Sequence, residues 1–254
     1  FDNWNLGPDG CVKVFDWNGS SWNQVGNNIK SGRGYGRTGT TLSLSEDGNT
    51  LAVITPRNSY KFSWSLRGTL KMFEWDGSNW VSKGSTISCQ LGRKEDNFSL
   101  DINDDGTIVA IGEYKDYTNS SITEGRVTVY EWDGSSWNVK GAVLLGENLG
   151  DQFGFSISLN GTGNRIAIGA PNNDGNKGEV KLYEWTNSAW SVIEEFNGTS
   201  ATKLGHAVSL NSTGDQIAIS ESDYNLNAGA VSIFVEGTNS WNLTGNIIEG
   251  TSSG

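Results

Sequence analysis

Residues 150–190, GDQFGFSISLNGTGNRIAIGAPNNDGNKGEVKLYEWTNSAW, contain the clearest copy of a unit that recurs along the chain. Two short runs in it, 155–159 and 166–170, alternate apolar and small residues around a glycine-containing turn, which is the pattern of a β-hairpin. A second hairpin follows, because 180–185 alternates again and the chain turns back at Thr186-Asn187. This stretch predicts four antiparallel strands joined by short turns.

The second hairpin can be followed by its closing tryptophan, which recurs every 51–58 residues at Trp22, Trp80, Trp137, Trp190 and Trp241. The first hairpin can be followed by its turn glycine, at Gly48, Gly106, Gly163 and Gly214. Small residues recur on the strand after that turn, at Ala52, Ala110, Ala167 and Ala218, as expected where blades converge on an axis. Tandem sheets at this period predict an all-β chain, a β-propeller of four-stranded antiparallel blades.

We expect one domain over residues 1–254 with about five blades, one of them incomplete, because the second hairpin occurs once more than the first. The repeat units run approximately over 1–30, 31–88, 89–145, 146–197 and 198–254. Either the ring closes with the incomplete blade, helped by residues 1–6, or the chain is a segment of a longer repeat protein.

The turn of the second hairpin predicts a left-handed backbone at one repeated position. Gly19, Gly77, Gly134 and Gly237 share that position with Asn187. Asparagine is among the residues that best tolerate a positive φ, so the exception supports the interpretation.

The formal net charge of −11 disfavours nucleic acid and anionic membrane surfaces as partners, since no basic face exists to neutralise phosphates. No apolar run is long enough to insert into a membrane as a helix. The two cysteines, Cys11 and Cys89, fall in neighbouring units, which leaves open either one disulfide or two unpaired, buried thiols.

Residues 150–183 resemble the FG-GAP repeat of integrin α-subunit propellers and related extracellular proteins. Phe153-Gly154 matches the first half of that name and Gly169-Ala170-Pro171 the second, and 178–183 is similar to the strand that follows in the family. The match is full in this unit only, since Leu204-Gly205 and Thr38-Gly39 stand elsewhere in place of Phe-Gly. The resemblance implies a secreted, extracellular or cell-surface propeller.

Several members of that family bind Ca²⁺ through an acidic loop between the first two strands. Two of the four corresponding loops here contain no acid, whereas a hard cation needs several carboxylate oxygens, so we expect no cofactor. The cluster of Asp101, Asp104 and Asp105 is the one candidate for a calcium site.

No catalytic residues are predicted. His206 is the only histidine, and its place in a predicted strand favours a structural role. Asp16, Glu74, Glu131 and Glu184 occupy one repeat position, and a residue repeated in every blade usually serves the blade, for instance by pairing with a lysine.

Two interpretations of the tryptophans remain open. Trp17 with Trp22, Trp75 with Trp80, Trp132 with Trp137 and Trp185 with Trp190 flank the hairpin turns and can pack across them. If exposed, the same pairs could stack on sugar rings.

The longer loops differ between units and are the expected place of partner contacts. Their aromatic candidates are Tyr35, Tyr60, Trp64 and Tyr117. The candidate glycosylation sites are Asn119 and Asn197, which lie in N-x-[ST] sequons of polar loops.

Three functions follow from these patterns. The first is a non-enzymatic extracellular propeller that binds protein partners or self-assembles, as an adhesion module or a structural subunit. The second is a lectin that binds glycans through the tryptophan pairs. The third is a hydrolase of the glycosidase kind, which would need acids from unlike blades facing one another across a sugar.

Overall fold

The computed structural model describes residues 10–30, 37–56, 68–89, 98–114 and 124–251. These residues form five antiparallel sheets, numbered here in chain order. Sheet 1 contains β1 Val12–Trp17 and β2 Trp22–Ile29. Sheet 2 contains β3 Thr41–Leu44, β4 Thr50–Thr55, β5 Thr69–Trp75, β6 Trp80–Ser82 and β7 Ile87–Ser88. Sheet 3 contains β8 Phe98–Ile102, β9 Ile108–Glu113, β10 Arg126–Trp132, β11 Trp137–Val139 and β12 Leu144–Leu145.

Sheets 4 and 5 repeat this order. Sheet 4 contains β13 Ser156–Leu159, β14 Arg165–Ala170, β15 Glu179–Thr186 and β16 Ala189–Asn197. Sheet 5 contains β17 Leu204–Leu210, β18 Gln216–Glu221, β19 Ala230–Glu236, β20 Trp241–Leu243 and β21 Ile248–Glu249. Two helical segments of one turn, α1 Asn173–Asn176 and α2 Tyr224–Asn227, lie in the loops between the second and third strands of these sheets.

Strands pair in sequence order within each sheet, so the predicted tandem units of four antiparallel strand positions are confirmed for sheets 2 to 5. The outermost position is split in sheets 2, 3 and 5, where two short strands pair with one third strand. In sheet 4 the outermost strand is continuous and its pairing contains a register shift at Leu182/Tyr183. In the described part of sheet 1 only the second hairpin is present.

The hydrophobic core lies between successive sheets. Leu70 and Met72 of β5 pack with Val109 and Ile111 of β9 in one cluster, and the equivalent residues pack between sheets 3 and 4 and between sheets 4 and 5. Because each inner sheet is covered on both faces, its second strand is a continuous buried run, as in β9. Burial on both faces explains why these strands lack a polar side.

The FG-GAP-like residues of sheet 4 have a steric explanation. Phe153 is buried and forms a bridge with Gly125 of sheet 3, while Gly154 adopts a φ of 83°. A Cβ on Gly169 would lie 2.1 Å from the carbonyl oxygen of Gly205. Glycine is therefore required where the backbones of neighbouring sheets approach one another.

The structure contradicts the disulfide alternative, because Cys11 and Cys89 are both free thiols. Cys11 is exposed, whereas Cys89 is buried, so only one of the two unpaired thiols matches the expectation of burial. Burial raises the pKa of the Cys89 thiol well above its ordinary value.

Among the described residues there is no helix with the length and hydropathy needed to span a membrane.

Candidate functional site

Each tryptophan pair packs across its own hairpin, with ring centroids 5.2–5.6 Å apart. Three of the four pairs also pack against a glycine of the preceding sheet. A Cβ on Gly26, Gly84 or Gly141 would lie 2.5–2.6 Å from the Cζ3 atom of Trp75, Trp132 or Trp185, respectively. The packing interpretation is thereby confirmed for these pairs.

A hydrogen bond completes each of these three contacts. The indole Nε1 atoms of Trp80, Trp137 and Trp190 donate to the carbonyl oxygens of Val25, Lys83 and Lys140, at 3.2, 2.9 and 2.9 Å. We call this arrangement of an indole pair, a glycine and an accepting carbonyl the tryptophan–glycine contact. In these three pairs the indole rings pack on the preceding sheet. The pairs therefore do not form a set of equivalent, open sugar-binding sites.

The three acids of the candidate calcium site have separate roles. Asp101 accepts hydrogen bonds from the Leu159 amide at 2.8 Å and from the Ser43 hydroxyl at 3.1 Å, and so links sheets 2, 3 and 4. Burial raises the pKa of Asp101. Asp104 accepts from the Ser212 hydroxyl at 2.6 Å, and Asp105 closes its own turn through Thr107. In the described ranges, no group of three or more potential ligands could hold a metal ion.

Three of the four repeated acids, Glu74, Glu131 and Glu184, pair with cations. Glu74 lies 3.7 Å from the Lys83 ammonium, and Glu131 lies 2.7 Å from that of Lys140. Glu184 instead accepts from Arg165 at 2.8 Å.

Acids from two different sheets converge at an open polar cavity of about 510 Å³. Arg165 joins Glu184 of sheet 4 to Glu236 of sheet 5, at 2.8 and 2.6 Å. The hydrogen bond with Glu236 is the main cause that raises the pKa of Arg165. Because Arg165 binds both carboxylates, they are held in an ion-pair network and do not face one another across free space for a sugar, as a glycosidase pair would.

A row of rings crosses sheets 3, 4 and 5 at the edge where the innermost strands begin and the second strands end. The Phe155 ring, just before β13, lies with its centroid 4.8 Å from that of Tyr114 and 4.8 Å from that of His206. Tyr114 is buried, Phe155 is partly exposed, and His206 in β17 is exposed. The histidine lies in the predicted strand, but its imidazole is open to solvent.

Charged groups lie beside this row. Lys203, just before β17, pairs with Asp223 at 2.7 Å. The hydrogen bond from Lys203 lowers the pKa of Asp223, and the charge of His206 acts in the same direction. The site thus combines an apolar ring face, an exposed imidazole and an ionised carboxylate. Sequence reasoning missed it because its residues come from three repeat units, although Phe155 and His206 share one repeat position directly after Phe153-Gly154 and Leu204-Gly205.

The remaining predicted residues fall outside this site. Asn197 is exposed at the end of β16. Tyr35, Tyr60, Trp64, Tyr117 and Asn119 lie outside the described residues.

Comparison with known proteins gives a structural likeness alone. No family model and no curated protein matches the chain. Among solved structures, the periplasmic gluconolactonase PpgL of Pseudomonas aeruginosa is similar, with a TM-score of 0.60 and 13% sequence identity. The match covers 98% of this chain and 67% of that chain. At this identity the likeness shows the fold, which is an all-β, propeller-like arrangement of antiparallel sheets.

This comparison corrects the predicted function. The sequence favoured a non-enzymatic adhesion module or structural subunit, whereas the protein that shares this fold over nearly the whole chain is named as an enzyme. The prediction of a chain without enzymatic activity is therefore contradicted by this likeness to a protein named as a gluconolactonase.

Proposed function

We propose that this protein is a hydrolase that opens a small cyclic ester of a sugar-like acid at the ring row Tyr114, Phe155 and His206. The observation that carries the proposal is the exposed His206 imidazole against Phe155, beside the ionised Asp223. The name of the similar structure, a gluconolactonase, supports the choice of a lactone as substrate.

In this proposal His206 acts as the general base. The imidazole takes a proton from water, the water oxygen bonds to the lactone carbonyl carbon, and the ring C–O bond breaks. The same proton passes to the departing oxygen, so one lactone and one water give one hydroxy acid. The Phe155 ring offers an apolar face to the C–H side of the substrate.

The finer architecture also belongs to this proposal. We infer that the five sheets are five blades of one propeller with FG-GAP-type repeats, the described residues of the first blade forming its outer hairpin. The periplasmic location in that protein's name, together with the acidic composition of this chain, supports a place outside the cytoplasm.

The test is hydrolysis of glucono-1,5-lactone, followed by titration of the acid released at constant pH. The wild type should accelerate the reaction above its spontaneous rate, and His206→Ala should lower kcat by about 10²-fold or more. Phe155→Ala should raise KM. Asp16→Asn, an exposed change in sheet 1, is the matched control and should leave the rate unchanged. No acceleration by the wild type, or full activity in His206→Ala, would contradict the proposal.

A further inference from the structure

The tryptophan–glycine contact follows a pairing rule along the chain. Wherever a sheet carries the glycine, the next sheet carries the tryptophan pair, as in Gly26 with Trp75, Gly84 with Trp132 and Gly141 with Trp185. The continuous outer strand of sheet 4, Ala189–Asn197, contains no glycine.

Sheet 5 accordingly lacks the first tryptophan of the pair. Glu236 pairs with Trp241 in the register in which Trp185 pairs with Trp190. Trp241 contacts the Phe196 ring instead, at a centroid distance of 6.1 Å. The glycine and the tryptophan pair are therefore present together or absent together at every junction between described sheets.

In sheet 5, Gly245 stands at the position of the glycine of this contact, and no described residue packs on it. Gly245 has a φ of 69°, close to the 72–80° of Gly26, Gly84 and Gly141. The Thr244 amide donates a hydrogen bond to the Ile233 carbonyl oxygen at 2.8 Å. In sheet 2, the Lys83 amide donates in the same way to the Met72 carbonyl oxygen at 2.9 Å. No atom of the described chain lies within 4 Å of where a Cβ on Gly245 would stand.

The face of sheet 5 beside Gly245 is also uncovered. Val231 and Ile233 are partly exposed, whereas the equivalent Val180 and Leu182 of sheet 4 are fully buried by sheet 5. A groove of about 380 Å³ follows this face past Val231 and Ile248, and Ile248 is 59% exposed. An apolar face of this kind marks an interaction surface.

In sheet 1, Trp17 and Trp22 form the tryptophan pair of the contact. Trp17 and Trp22 stack on each other at 5.6 Å, yet they are 49% and 66% exposed. Trp80, in the position equivalent to Trp22, is only 4% exposed. Phe15, on the same side of β1 as Trp17, is 48% exposed and extends this patch.

We propose that these two ends bind each other between copies of this chain, head to tail. The Trp17 and Trp22 rings of one copy would pack on Gly245 of a second copy, and the Trp22 indole would donate to the Thr244 carbonyl. A second copy fits as the occupant because sheet 5 carries an uncovered glycine half and sheet 1 an exposed tryptophan half of the same contact. A contact with an outer hairpin alone has a precedent, since sheet 2 packs its tryptophans on the two strands of sheet 1.

The contact joins two different surfaces, so it leaves one free tryptophan pair and one free glycine on every dimer. Such heterologous contacts build open chains or closed rings rather than symmetric dimers. The proposal does not depend on the lactonase assay, because neither surface includes the ring row.

Sedimentation velocity over a range of concentrations tests the proposal on the full chain. The wild type should form species larger than a dimer. Trp22→Ala, and separately Gly245→Asn, should weaken association about tenfold or more, because buried tryptophans dominate interfaces. Asparagine tolerates the positive φ of Gly245 but places a side chain where the indole would sit. Val139→Ser, an exposed apolar residue of β11, is the control and should not change association.

Mixing the two variants gives the decisive result. Trp22→Ala keeps an intact glycine and Gly245→Asn keeps an intact tryptophan pair, so an equimolar mixture should form dimers and nothing larger. Circular dichroism confirms that each variant is folded. A wild type that is monomeric at every concentration, or a mixture that fails to dimerise, would overturn the proposal.

Discussion

Glycines with positive φ serve two purposes in this chain. Gly134 has a φ of 98° at a hairpin turn and no neighbour within 4 Å of where a Cβ would be. Gly141 has a φ of 80° and lies under the Trp185 ring of the next sheet. The first position requires glycine only because of its backbone conformation. The second position also leaves no room for a side chain.

We expect Gly134→Ala and Gly141→Ala to separate these purposes. Gly134→Ala should cost about 1–2 kcal/mol of the free energy of unfolding, the cost of a left-handed alanine. Gly141→Ala should cost roughly 1–3 kcal/mol more, because its Cβ would stand 2.5 Å from the Trp185 ring. Urea denaturation measures both, and equal losses would contradict the steric part of the tryptophan–glycine contact.

The carboxyl groups of Glu46 and Asp104 form a pair between sheets 2 and 3. The hydrogen bond and the charge of Asp104 raise the pKa of Glu46, and the Glu46 amide donates to the Asp104 carbonyl oxygen at 3.1 Å. A raised pKa in the folded state favours folding at low pH, and this contribution is lost as the pH rises through that pKa.

Asp104→Asn should therefore lower the pKa of Glu46 toward its ordinary value. An NMR titration of the Glu46 side chain between about pH 3 and 7 measures the change. Asp105→Asn is the neighbouring control, because Asp105 bonds within its own turn. An unchanged Glu46 titration in Asp104→Asn would show that the two carboxyl groups do not interact.

At the scale of elements, one repeat position occurs in two environments. Leu44 is the last residue of β3, and Leu159 is the last residue of the equivalent strand β13. Leu44 is 43% exposed, and Leu159 is 6% exposed. The difference arises because sheet 3 covers β13, whereas sheet 1 has no described inner hairpin to cover β3.

Truncation of the two leucines should show this difference in stability. Leu159→Ala should destabilise the fold by about 2–5 kcal/mol, as buried leucines do. Leu44→Ala should cost less than about 1 kcal/mol, because little packing is lost at an exposed site. Equal losses in denaturant titrations would indicate that another segment covers Leu44 in solution.

The sequence allowed the strands and their pairing within a sheet to be predicted, because both depend on short-range alternation and turn residues. It also predicted a left-handed turn at Gly19, Gly77, Gly134 and Asn187, which the structure confirms, whereas Gly237 does not adopt a positive φ. Gly237 follows Glu236, where sheet 5 lacks the first tryptophan. A local departure from the repeat thus affected the turn as well.

Contacts between sheets were beyond prediction from a single sequence. A tryptophan followed four residues later by glycine, as in Trp80 and Gly84, was available as a signal. Its meaning required knowing which ring the glycine faces. The ring row was harder to find, because Tyr114 occupies a different repeat position from Phe155 and His206, and the three rings approach only through the packing of three sheets.

At the scale of the whole molecule, each sheet packs on its sequence neighbours, and the core is divided among the junctions. Stability in such arrays is approximately a sum of units and nearest-neighbour interfaces. Sheets 2, 3 and 4 each pack on two described neighbours, whereas sheets 1 and 5 each pack on one. Local opening should therefore be easiest at the two ends.

Native-state hydrogen exchange should show this gradient and its dependence on concentration. Amides of β9, β10, β14 and β15 should exchange slowest, and those of β1, β2 and β20 fastest, because end sheets open without breaking two interfaces.

Head-to-tail association covers both ends at once. Raising the wild-type concentration should then slow exchange in β2 and β20 together while leaving β14 unchanged. Gly245→Asn removes the glycine half of the contact, so its end sheets should exchange at a rate independent of concentration. Slowing confined to one end, or equally present in Gly245→Asn, would mean that the tryptophan pair and the glycine do not bind each other.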